Sequence, residues 1–385
     1  MAPVVKALLG RDVSTTLVHT GQHFDCDMGL RFFDELGLPK PDYSFRLGER
    51  QPAAQIAEIL LELEKAINEC QPDLILIQGD TNSMLAAALA GVKARRPVGH
   101  IEAGLRSYDW RMPEEHNRRM VDHVSDHLFA PTKISKANLL AEKVWGRIHV
   151  VGNTVIDAVD QYFPVAEKQS TILSSIPFSE YILATFHRQE NVDNPYVLKS
   201  FVAAMTGSPT PIIFPIHPRT ELRLRNTSLW TRLSKAKNVR ILPPLGYFDL
   251  LVLMKHCRFI ASDSGGLQEE ATSPRIRKYV LVLRNSTERP EAVRAGFAMV
   301  VGTEYLSLRS ALTRTWAAIP RLPNRSPFGD GSAGSRISRI VANSLRRQYL
   351  KSCHRRSKER HPDCQATESL TIHKASRATC ASQQG

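Results

Sequence analysis

The sequence has 385 residues, of which 42% are hydrophobic and 23% are charged; these values are typical of globular proteins and allow two domains of ordinary size. The formal net charge of +13 would suit a nucleic-acid-binding protein, but residues 305–385 alone hold 15 Lys or Arg and four Asp or Glu. We therefore interpret the basic excess as a solvated C-terminal tail and expect no nucleic-acid partner; because no run of 18 apolar residues occurs, we also expect no membrane span.

Apolar residues in the first 164 positions alternate between helical spacing and short continuous runs. Helical spacing predicts helices at 2–9, 24–36, 51–68, 82–94 and 113–128. The apolar runs predict strands at 13–19, 73–78, 98–103, 127–132 and 147–152, and such runs are typical of strands buried on both faces of a parallel sheet. This alternation indicates a doubly wound α/β domain.

A second α/β series follows a break in the pattern at 165–178, which we predict to be a linker. Its strands are predicted at 181–186, 211–217, 239–244, 258–263 and 279–284, and a further helix follows Gly329. Beyond Arg346 the sequence is rich in Arg, Lys, Ser and Cys and has no apolar periodicity. We therefore predict two domains and a disordered basic tail, with the boundaries 1–164, 179–345 and 346–385.

The cysteines and the first residues bear on the compartment. The six cysteines form no CxxC pair, which argues against both a disulfide framework and a zinc site. Met1 is followed by Ala-Pro-Val-Val-Lys, without the charged leader and long apolar core of a secretory signal. We expect a protein of the reducing cytoplasm that holds no metal.

Three acidic residues are predicted to meet at one edge of the first sheet. Asp80 and Glu102 come directly after buried runs, and the carboxyl ends of parallel strands open onto the ligand crevice. Glu114 lies in the first turn of a predicted helix. Clustered carboxylates raise one another's pKa, which suits proton transfer near neutral pH. The alternatives are that Asp80 is a turn or cap residue and that Glu114 forms a surface ion pair with Arg118, four residues later.

Polar residues also follow the strands of the second series. His187 and Arg188 come directly after the strand at 181–186, and an adjacent His and Arg at that position favour recognition of an anion. A structural role for His187 fits the same observation equally well. His217, after the next strand, is a weaker candidate of the same kind.

A Ser-Gly-Gly turn joins a later strand to a helix through Ser264, Gly265 and Gly266. Glycines let a phosphate approach the backbone, and a helix N-terminus offers free N–H groups; an ordinary glycine-rich turn is the alternative. Glu270, one turn further on, is placed to accept hydrogen bonds from a ribose, and Arg289 precedes a helix opposite this turn. Because neither GxxxxGK nor GxGxxG occurs, the sequence has neither a Walker loop nor the dinucleotide fingerprint.

Taken together, eight ordered segments resemble the non-hydrolysing UDP-N-acetylglucosamine 2-epimerases, especially archaeal-like members. They are HTGQHFDCDM (19–28), QGDTNSMLAAALA (78–90), HIEAGLRSYDWRMPEEHNRRMVDHVSDHLFAPT (100–132), VGNTVIDA (151–158), HRQENVDN (187–194), SDSGGLQEE (262–270), TERPEAV (287–293) and FGDG (328–331). The resemblance covers roughly residues 1–345. It implies two Rossmann-like domains in the arrangement of the B-type glycosyltransferases, with the nucleotide sugar in the cleft between them.

The resemblance also implies a reaction and the residues that perform it. UDP-GlcNAc and UDP-ManNAc would be interconverted without a cofactor or metal, through elimination of UDP to 2-acetamidoglucal and its re-addition. The implied catalytic residues are Asp80, Glu102, Glu114 and His187, and the implied substrate-binding residues are Arg118, His217, Ser264, Gly265, Gly266, Glu270 and Arg289. Gln22 and His23 lie at positions that resemble an allosteric substrate site. A homodimer that serves surface polysaccharide or glycan synthesis is the implied context.

The chain departs from the family pattern in three places. Met1-Ala2-Pro3 aligns inside the first helix, so we expect the family's first, central strand and its GTRPE-like loop to be missing. The segment 271–280 replaces a shorter Pro-x-x-Gly-Lys-Pro turn, and 305–345 carries Arg where acidic residues are usual. An inactive nucleotide-sugar-binding remnant therefore stays an alternative. A hydrolysing 2-epimerase is another, and a glycosyltransferase of the same architecture is disfavoured by the intact set of acids.

Overall fold

The computed structural model describes residues 1–11, 13–21, 33–47 and 50–360, with side chains through residue 350. Within these ranges the strands are β1 Val18–His19, β2 Tyr43–Ser44, β3 Ile75–Gln78, β4 Val98–Ile101, β5 His127–Ala130, β6 Arg147–Val150, β7 Ile182–Thr185, β8 Ile212–Pro215, β9 Val239–Leu242, β10 Phe259–Ser262, β11 Val280–Val282 and β12 Ala298–Val300. The helices are α1 Ala2–Leu9, α2 Pro52–Cys70, α3 Asn82–Lys93, α4 Pro113–Val124, α5 Lys133–Ala141, α6 Thr154–Gln169, α7 Gln189–Val192, α8 Pro195–Thr206, α9 Pro218–Arg225, α10 Ser228–Ser234, α11 Tyr247–His256, α12 Gly265–Glu270, α13 Pro290–Arg294, α14 Tyr305–Ala317 and α15 Ala333–Arg360. Most of the helix predicted at 24–36 lies outside the described residues.

Four parallel strands in the order β3-β4-β5-β6 form the first sheet. The middle strands β4 and β5 are fully buried, as their continuous apolar runs predict, whereas the edge strands β3 and β6 are partly exposed. Gln78 at the end of β3 pairs with Ile101 at the end of β4, so the residues that follow these two strands leave the sheet side by side. β1 and β2 form a separate parallel pair, and β1 is much shorter than the strand predicted at 13–19.

Six parallel strands in the order β12-β11-β10-β7-β8-β9 form the second sheet. β7 and β10 lie at its centre and are buried throughout, since helices cover both faces of the sheet. β12 was not among the predicted strands. Its short apolar run follows the helix α13 so closely that apolar spacing does not separate a strand from a continued helix there. We call the part built on β3–β6 the first half and the part built on β7–β12 the second half.

The helices cover the sheets with the apolar stripes that their spacing predicts. In α2, Ile59, Leu63 and Ile67 recur at helical spacing, and all three are buried against the first sheet and α3. The small residues of α3, with Ala86 and Ala88 fully buried, let α2 pack closely against it. The helices therefore close one face of the sheet and leave the carboxyl ends of its strands free to form a site.

Two helices extend into segments that were predicted to be a linker and a disordered tail. α6 continues to Gln169, into the predicted linker, because Phe163 and Ala166 pack into the core that α6 shares with α11. α15 continues to Arg360, where disorder was expected from Arg346, since its Arg- and Lys-rich sequence favours a helix even without an apolar stripe. Of the helices in the described ranges, none has both the length and the apolar character needed to cross a bilayer.

Candidate active site

The two halves meet at the carboxyl ends of their strands. The sulfur of Met112, before α4, lies 3.1 Å from Nη2 of Arg284, after β11. Oε1 of Glu114 lies 3.7 Å from Nη1 of Arg188, after β7. The Thr132 hydroxyl, after β5, donates a hydrogen bond to the Glu291 carboxylate. Because carboxyl ends of parallel strands point into this interface from both sides, the cleft between the halves is the candidate site.

Glu102 has the most unusual backbone of the site residues. It follows β4 with φ of 73°, in the left-handed region that bulky side chains rarely adopt. Nε2 of Gln78 donates a 2.6 Å hydrogen bond to its Oε1. Strain of this kind persists where the surroundings over-determine it, and it concentrates at functional sites. Five other described non-glycine residues also have a positive φ, so it is this backbone together with the position after β4 and the hydrogen bond from Gln78 that favours a functional role for Glu102.

A buried ionic cluster holds the turn that carries Glu102. Asp122 on α4 accepts a hydrogen bond of 2.7 Å from Nδ1 of His100 and one of 3.1 Å from the Gly104 N–H, and its Oδ2 lies 2.8 Å from Nη1 of Arg106. Nε2 of His100 lies 2.9 Å from the Gly79 carbonyl, so both ring nitrogens face oxygen acceptors. Burial alone would raise the pKa of Asp122, but His100 and Arg106 hold that pKa below its usual range.

Asp80 faces a buried arginine. Nη2 of Arg118 lies 2.6 Å from Oδ2 of Asp80, and Nη1 of Arg118 lies 3.1 Å from Oε2 of Glu115. The side-chain amide of Asn117 also donates to the Asp80 carbonyl at 3.0 Å. The alternative of a surface pair between Glu114 and Arg118 is wrong, because Arg118 is buried between Asp80 and Glu115 while Glu114 extends across the cleft.

Glu288 lies among three arginines of the second half. Its carboxylate lies 2.6 Å from Nη1 of Arg284, 3.0 Å from Nη2 of Arg188 and 3.8 Å from Nη1 of Arg289. Although burial would raise the pKa of Glu288, these three guanidinium groups hold it well below its usual range. One carboxylate thus faces three guanidinium groups, and Glu114, Glu190 and Glu269 each approach one of the same arginines.

His187 lies on a loop that Asp263 organises. The Asp263 carboxylate, after β10, accepts hydrogen bonds from the backbone N–H of His187 at 3.1 Å and of Arg188 at 2.9 Å, and from the Asn191 amide at 3.1 Å. The His187 ring stacks on the His217 ring with centroids 5.4 Å apart. Burial lowers the pKa of His187, which favours a neutral imidazole at the cleft.

The Ser-Gly-Gly turn approaches the same arginines. Gly265 begins α12, and a Cβ added there would lie 2.6 Å from Oε1 of Glu288 and 3.5 Å from Nη2 of Arg188. The turn therefore needs glycine at this position to bring its backbone against the Arg-Glu cluster. Ser264 is the N-cap residue, and its backbone N–H donates to the Ser262 hydroxyl at 2.9 Å.

Two adjacent acids on α12 have unusual proton affinity. Burial raises the pKa of Glu270 to about 7, and the nearby Tyr247 hydroxyl acts in the opposite direction. Burial also raises the pKa of Glu269 to about 8, although Arg289, whose Nε lies 2.5 Å from its Oε1, acts to lower it. The glycine turn thus ends in carboxyl groups that titrate near neutral pH.

The structure brings most of the predicted residues to one cleft. The acids of the first half act electrostatically on arginines of the second: Asp80 and Glu114 on Arg188, and Glu102 on Arg289. His217 is exposed at the edge, next to His187, and Gln22 and His23 lie outside the described residues. The sequence did not predict the residues that form hydrogen bonds or ion pairs with the site residues and their turns, which are His100, Arg106, Asp122, Asp263, Glu269, Arg284 and Glu288. A charged residue beside a strand end was the signal available for Asp263 and Arg284.

Comparison with known proteins gives a consistent result. Residues 6–342 match the UDP-N-acetylglucosamine 2-epimerase family. A UDP-N-acetylglucosamine 2-epimerase of Methanocaldococcus jannaschii is 40% identical over 356 residues, which cover 89% of this chain and 94% of the relative. The crystal structure of that organism's enzyme with UDP-GlcNAc and UDP superimposes with a TM-score of 0.83 at 39% identity, over 89% of this chain and 95% of that one. A UDP-2,3-diacetamido-2,3-dideoxy-D-glucuronate 2-epimerase of Pseudomonas aeruginosa is 36% identical over 347 residues, which cover 88% of this chain and 94% of the relative.

Proposed function

This chain belongs to the UDP-N-acetylglucosamine 2-epimerase family, and from that premise we propose that it is an isomerase that interconverts UDP-GlcNAc and UDP-ManNAc. The observation that carries the proposal is the cleft itself, where Asp80, Glu102 and Glu114 of the first half face the arginines and the glycine turn of the second. Such a cleft can handle a proton on one side and a leaving anion on the other.

Inversion at C2 requires a proton to leave one face of the sugar and another to arrive on the opposite face. In the elimination, a carboxylate takes the C2 proton, the C2–H electron pair forms the C1–C2 double bond, and UDP departs with the electron pair of the C1–O bond. Re-addition of UDP to 2-acetamidoglucal reverses these changes with protonation from the other face. We assign the proton transfers to Asp80, Glu102 and Glu114, which approach the cleft from two strand ends and a helix start.

The departing UDP is an anion, and the second half offers groups that suit it. Arg289 is buried next to Glu288, which also lies against the turn formed by Ser264, Gly265 and Gly266. That turn presents backbone N–H groups at the start of α12. His187 lies on the adjoining loop. Among the described residues, Nε of Arg188 is buried without a hydrogen-bond partner, and so is Nε of Arg118, which the first half contributes. We assign these groups to the diphosphate, since unmatched donors favour an incoming anion.

Other parts of the proposal concern the nucleoside and the setting. We assign the Glu270 carboxyl group, near the Tyr247 hydroxyl, to the ribose, and His217 to the edge of the substrate site beside His187. We further propose a cytoplasmic homodimer that supplies glycan synthesis; the free thiols of Cys70 and Cys257 fit a reducing compartment. Gln22 and His23 keep the allosteric role that the family resemblance implies.

The first test is the product formed from UDP-GlcNAc, followed by proton NMR. We expect UDP-ManNAc to accumulate to a constant ratio with UDP-GlcNAc while free UDP stays at the level of an enzyme-free control. Free UDP and ManNAc in equal amounts would contradict the proposal and show that the chain is a hydrolysing 2-epimerase. UDP binding without any product would indicate the nucleotide-sugar-binding remnant. A parallel incubation with UDP-2,3-diacetamido-2,3-dideoxy-D-glucuronate, the sugar in the name of the Pseudomonas aeruginosa relative, tests the choice of sugar.

A further inference from the structure

The side chain of Gln78 lies directly against the carboxylate of Glu102. Gln78 is the last residue of β3, and Glu102 follows β4, whose end pairs with the end of β3. Nε2 of Gln78 donates a 2.6 Å hydrogen bond to Oε1 of Glu102 and a 3.2 Å hydrogen bond to the Thr154 hydroxyl at the start of α6. Thr154 is 2% exposed, so one N–H of the amide contacts the acid and the other a buried anchor.

The orientation of this amide is set by Glu102. If the amide were turned over, its carbonyl oxygen would face the carboxylate, and two acceptors repel each other. The observed orientation leaves the other end of the amide unsatisfied, because among the described residues Oε1 of Gln78 is buried and has no hydrogen-bond partner. A buried acceptor without a partner lowers stability, so an apolar side chain of the same length would suit the packing at least as well. The contacts of Gln78 therefore serve Glu102 more than they serve the fold.

The same contact makes the two oxygens of Glu102 different. Oε1 accepts the hydrogen bond from Gln78, so a C–H group that approaches the carboxylate meets no competing donor of Gln78 at Oε2. The bond to Oε1 also survives protonation of Oε2, because a carboxylic acid keeps its carbonyl oxygen as an acceptor. Gln78 can therefore hold the side chain before and after a proton transfer, on a backbone that is itself held at φ of 73°.

We propose that Gln78 is a positioning residue that holds Glu102 through Oε1, so that Oε2 exchanges the C2 proton on the face of the sugar that Glu102 serves. The inference rests on the proposed function for the identity of the reaction. In the elimination, the C2–H bond breaks and an O–H bond forms at Oε2. The freed electron pair forms the C1–C2 double bond, and UDP leaves with the electron pair of the C1–O bond. Gln78 itself transfers no proton.

Gln78→Met gives the main test, because it removes the donor and keeps the approximate length of the side chain. We expect kcat for epimerisation of UDP-GlcNAc to fall by about tenfold to a hundredfold, since a displaced base is less often aligned with C2. KM and UDP affinity should change by less than about threefold, because the lost contact acts on the chemical step. The isotope effect on kcat with UDP-GlcNAc deuterated at C2 should be at least as large as in the unaltered chain.

Stability separates positioning from a structural role. The unpaired carbonyl of Gln78 disappears together with the two hydrogen bonds of the amide, so the two effects on stability oppose each other. We therefore expect the urea midpoint of Gln78→Met to lie within about 0.5 M of the value for the unaltered chain. A loss of kcat without a comparable loss of stability is the result that a merely structural residue would not produce.

A second variant and a control complete the set. Thr154→Val removes the acceptor that anchors the other N–H of Gln78, so kcat should fall by about threefold to tenfold; this variant also serves if Gln78→Met does not fold. Gln161→Met is the matched control, because Gln161 is an exposed residue of α6 and should leave kcat, KM and the urea midpoint unchanged. A crystal structure of Glu102→Gln with UDP-GlcNAc should place C2 about 3–3.5 Å from the side-chain nitrogen that replaces Oε2, with Gln78 still bound to Oε1.

The outcomes separate this inference from the proposed function. A Gln78→Met variant with unchanged kcat, or with a raised KM alone, would overturn the positioning role while the epimerase activity stands. A smaller isotope effect than in the unaltered chain would contradict it as well, because the affected step would then not be the proton transfer. A crystal structure with C2 closest to Oε1 would overturn the assignment of Oε2. No product from the unaltered chain would overturn the proposed function together with this inference.

Discussion

Glu102→Gln is expected to lower kcat for epimerisation by about 10²-fold to 10⁴-fold, the contribution typical of a positioned general acid or base. The amide keeps the size of the side chain and can still accept the hydrogen bond from Nε2 of Gln78, but it cannot take a proton from C2. The left-handed backbone of Glu102 is unchanged by the substitution, so the loss reports on the carboxylate rather than on the turn.

The rate is measured by NMR from UDP-GlcNAc, and UDP affinity is measured alongside it. Glu62→Gln is the matched control, because Glu62 is a half-exposed residue of α2 that pairs with Lys65 at 2.7 Å. We expect that control to keep the activity of the unaltered chain, and Glu102→Gln to bind UDP within a few-fold of it. A Glu102→Gln variant with at least a third of the original kcat would remove Glu102 from the chemistry.

Asp122→Ala is expected to lower the free energy of unfolding by about 3–5 kcal/mol, because it removes one partner from a buried ionic cluster. Asp122 is 0% exposed and faces His100 and Arg106, and these would lose their shared carboxylate. Arg106 keeps contacts with Glu142 at 2.6 Å and 2.9 Å, whereas the Nδ1 side of His100 would be left without Asp122.

Urea unfolding of the unaltered chain, Asp122→Ala and the exposed control Asp73→Ala measures this difference. The sign with pH follows from the lowered pKa of Asp122: its contribution is present above the unfolded value of about 3.9 and is lost as pH falls through the lower folded pKa. The gap between the unaltered chain and Asp122→Ala should therefore narrow in acid. A gap below about 1 kcal/mol at neutral pH would contradict the role of the cluster.

The buried strands could be predicted from the sequence because each is a continuous apolar run that a two-sided sheet requires. β4, β7 and β10 lie within their predicted ranges. Elements without such a run were harder to predict. β12 follows α13 too closely to stand out, and α15 extends to Arg360 on helical propensity without an apolar stripe. The domain boundaries stay a prediction.

The acids that reach the cleft could be predicted because each directly follows a strand or begins a helix. The contacts that support the site could not be predicted, because the two residues of each contact are distant in the chain. His187 and Asp263 are 76 residues apart, and Asn153 and Glu269 are 116 residues apart. The positive φ of Glu102 could not be predicted either, because glutamate rarely adopts that backbone conformation and nothing in the neighbouring sequence indicates it. Such contacts depend on tertiary packing, which local spacing does not report.

Hydrogen exchange at C2 tests the central claim most directly. UDP-GlcNAc is incubated with the 385-residue chain in D2O, and both nucleotide sugars are examined by NMR and mass spectrometry. If carboxylates at this cleft remove and return the C2 proton, UDP-ManNAc will carry deuterium at C2, and recovered UDP-GlcNAc will acquire it as the reaction reverses. UDP-ManNAc that forms with protium retained at C2 would contradict the elimination, and no exchange in a folded chain that binds UDP would contradict the epimerase activity itself.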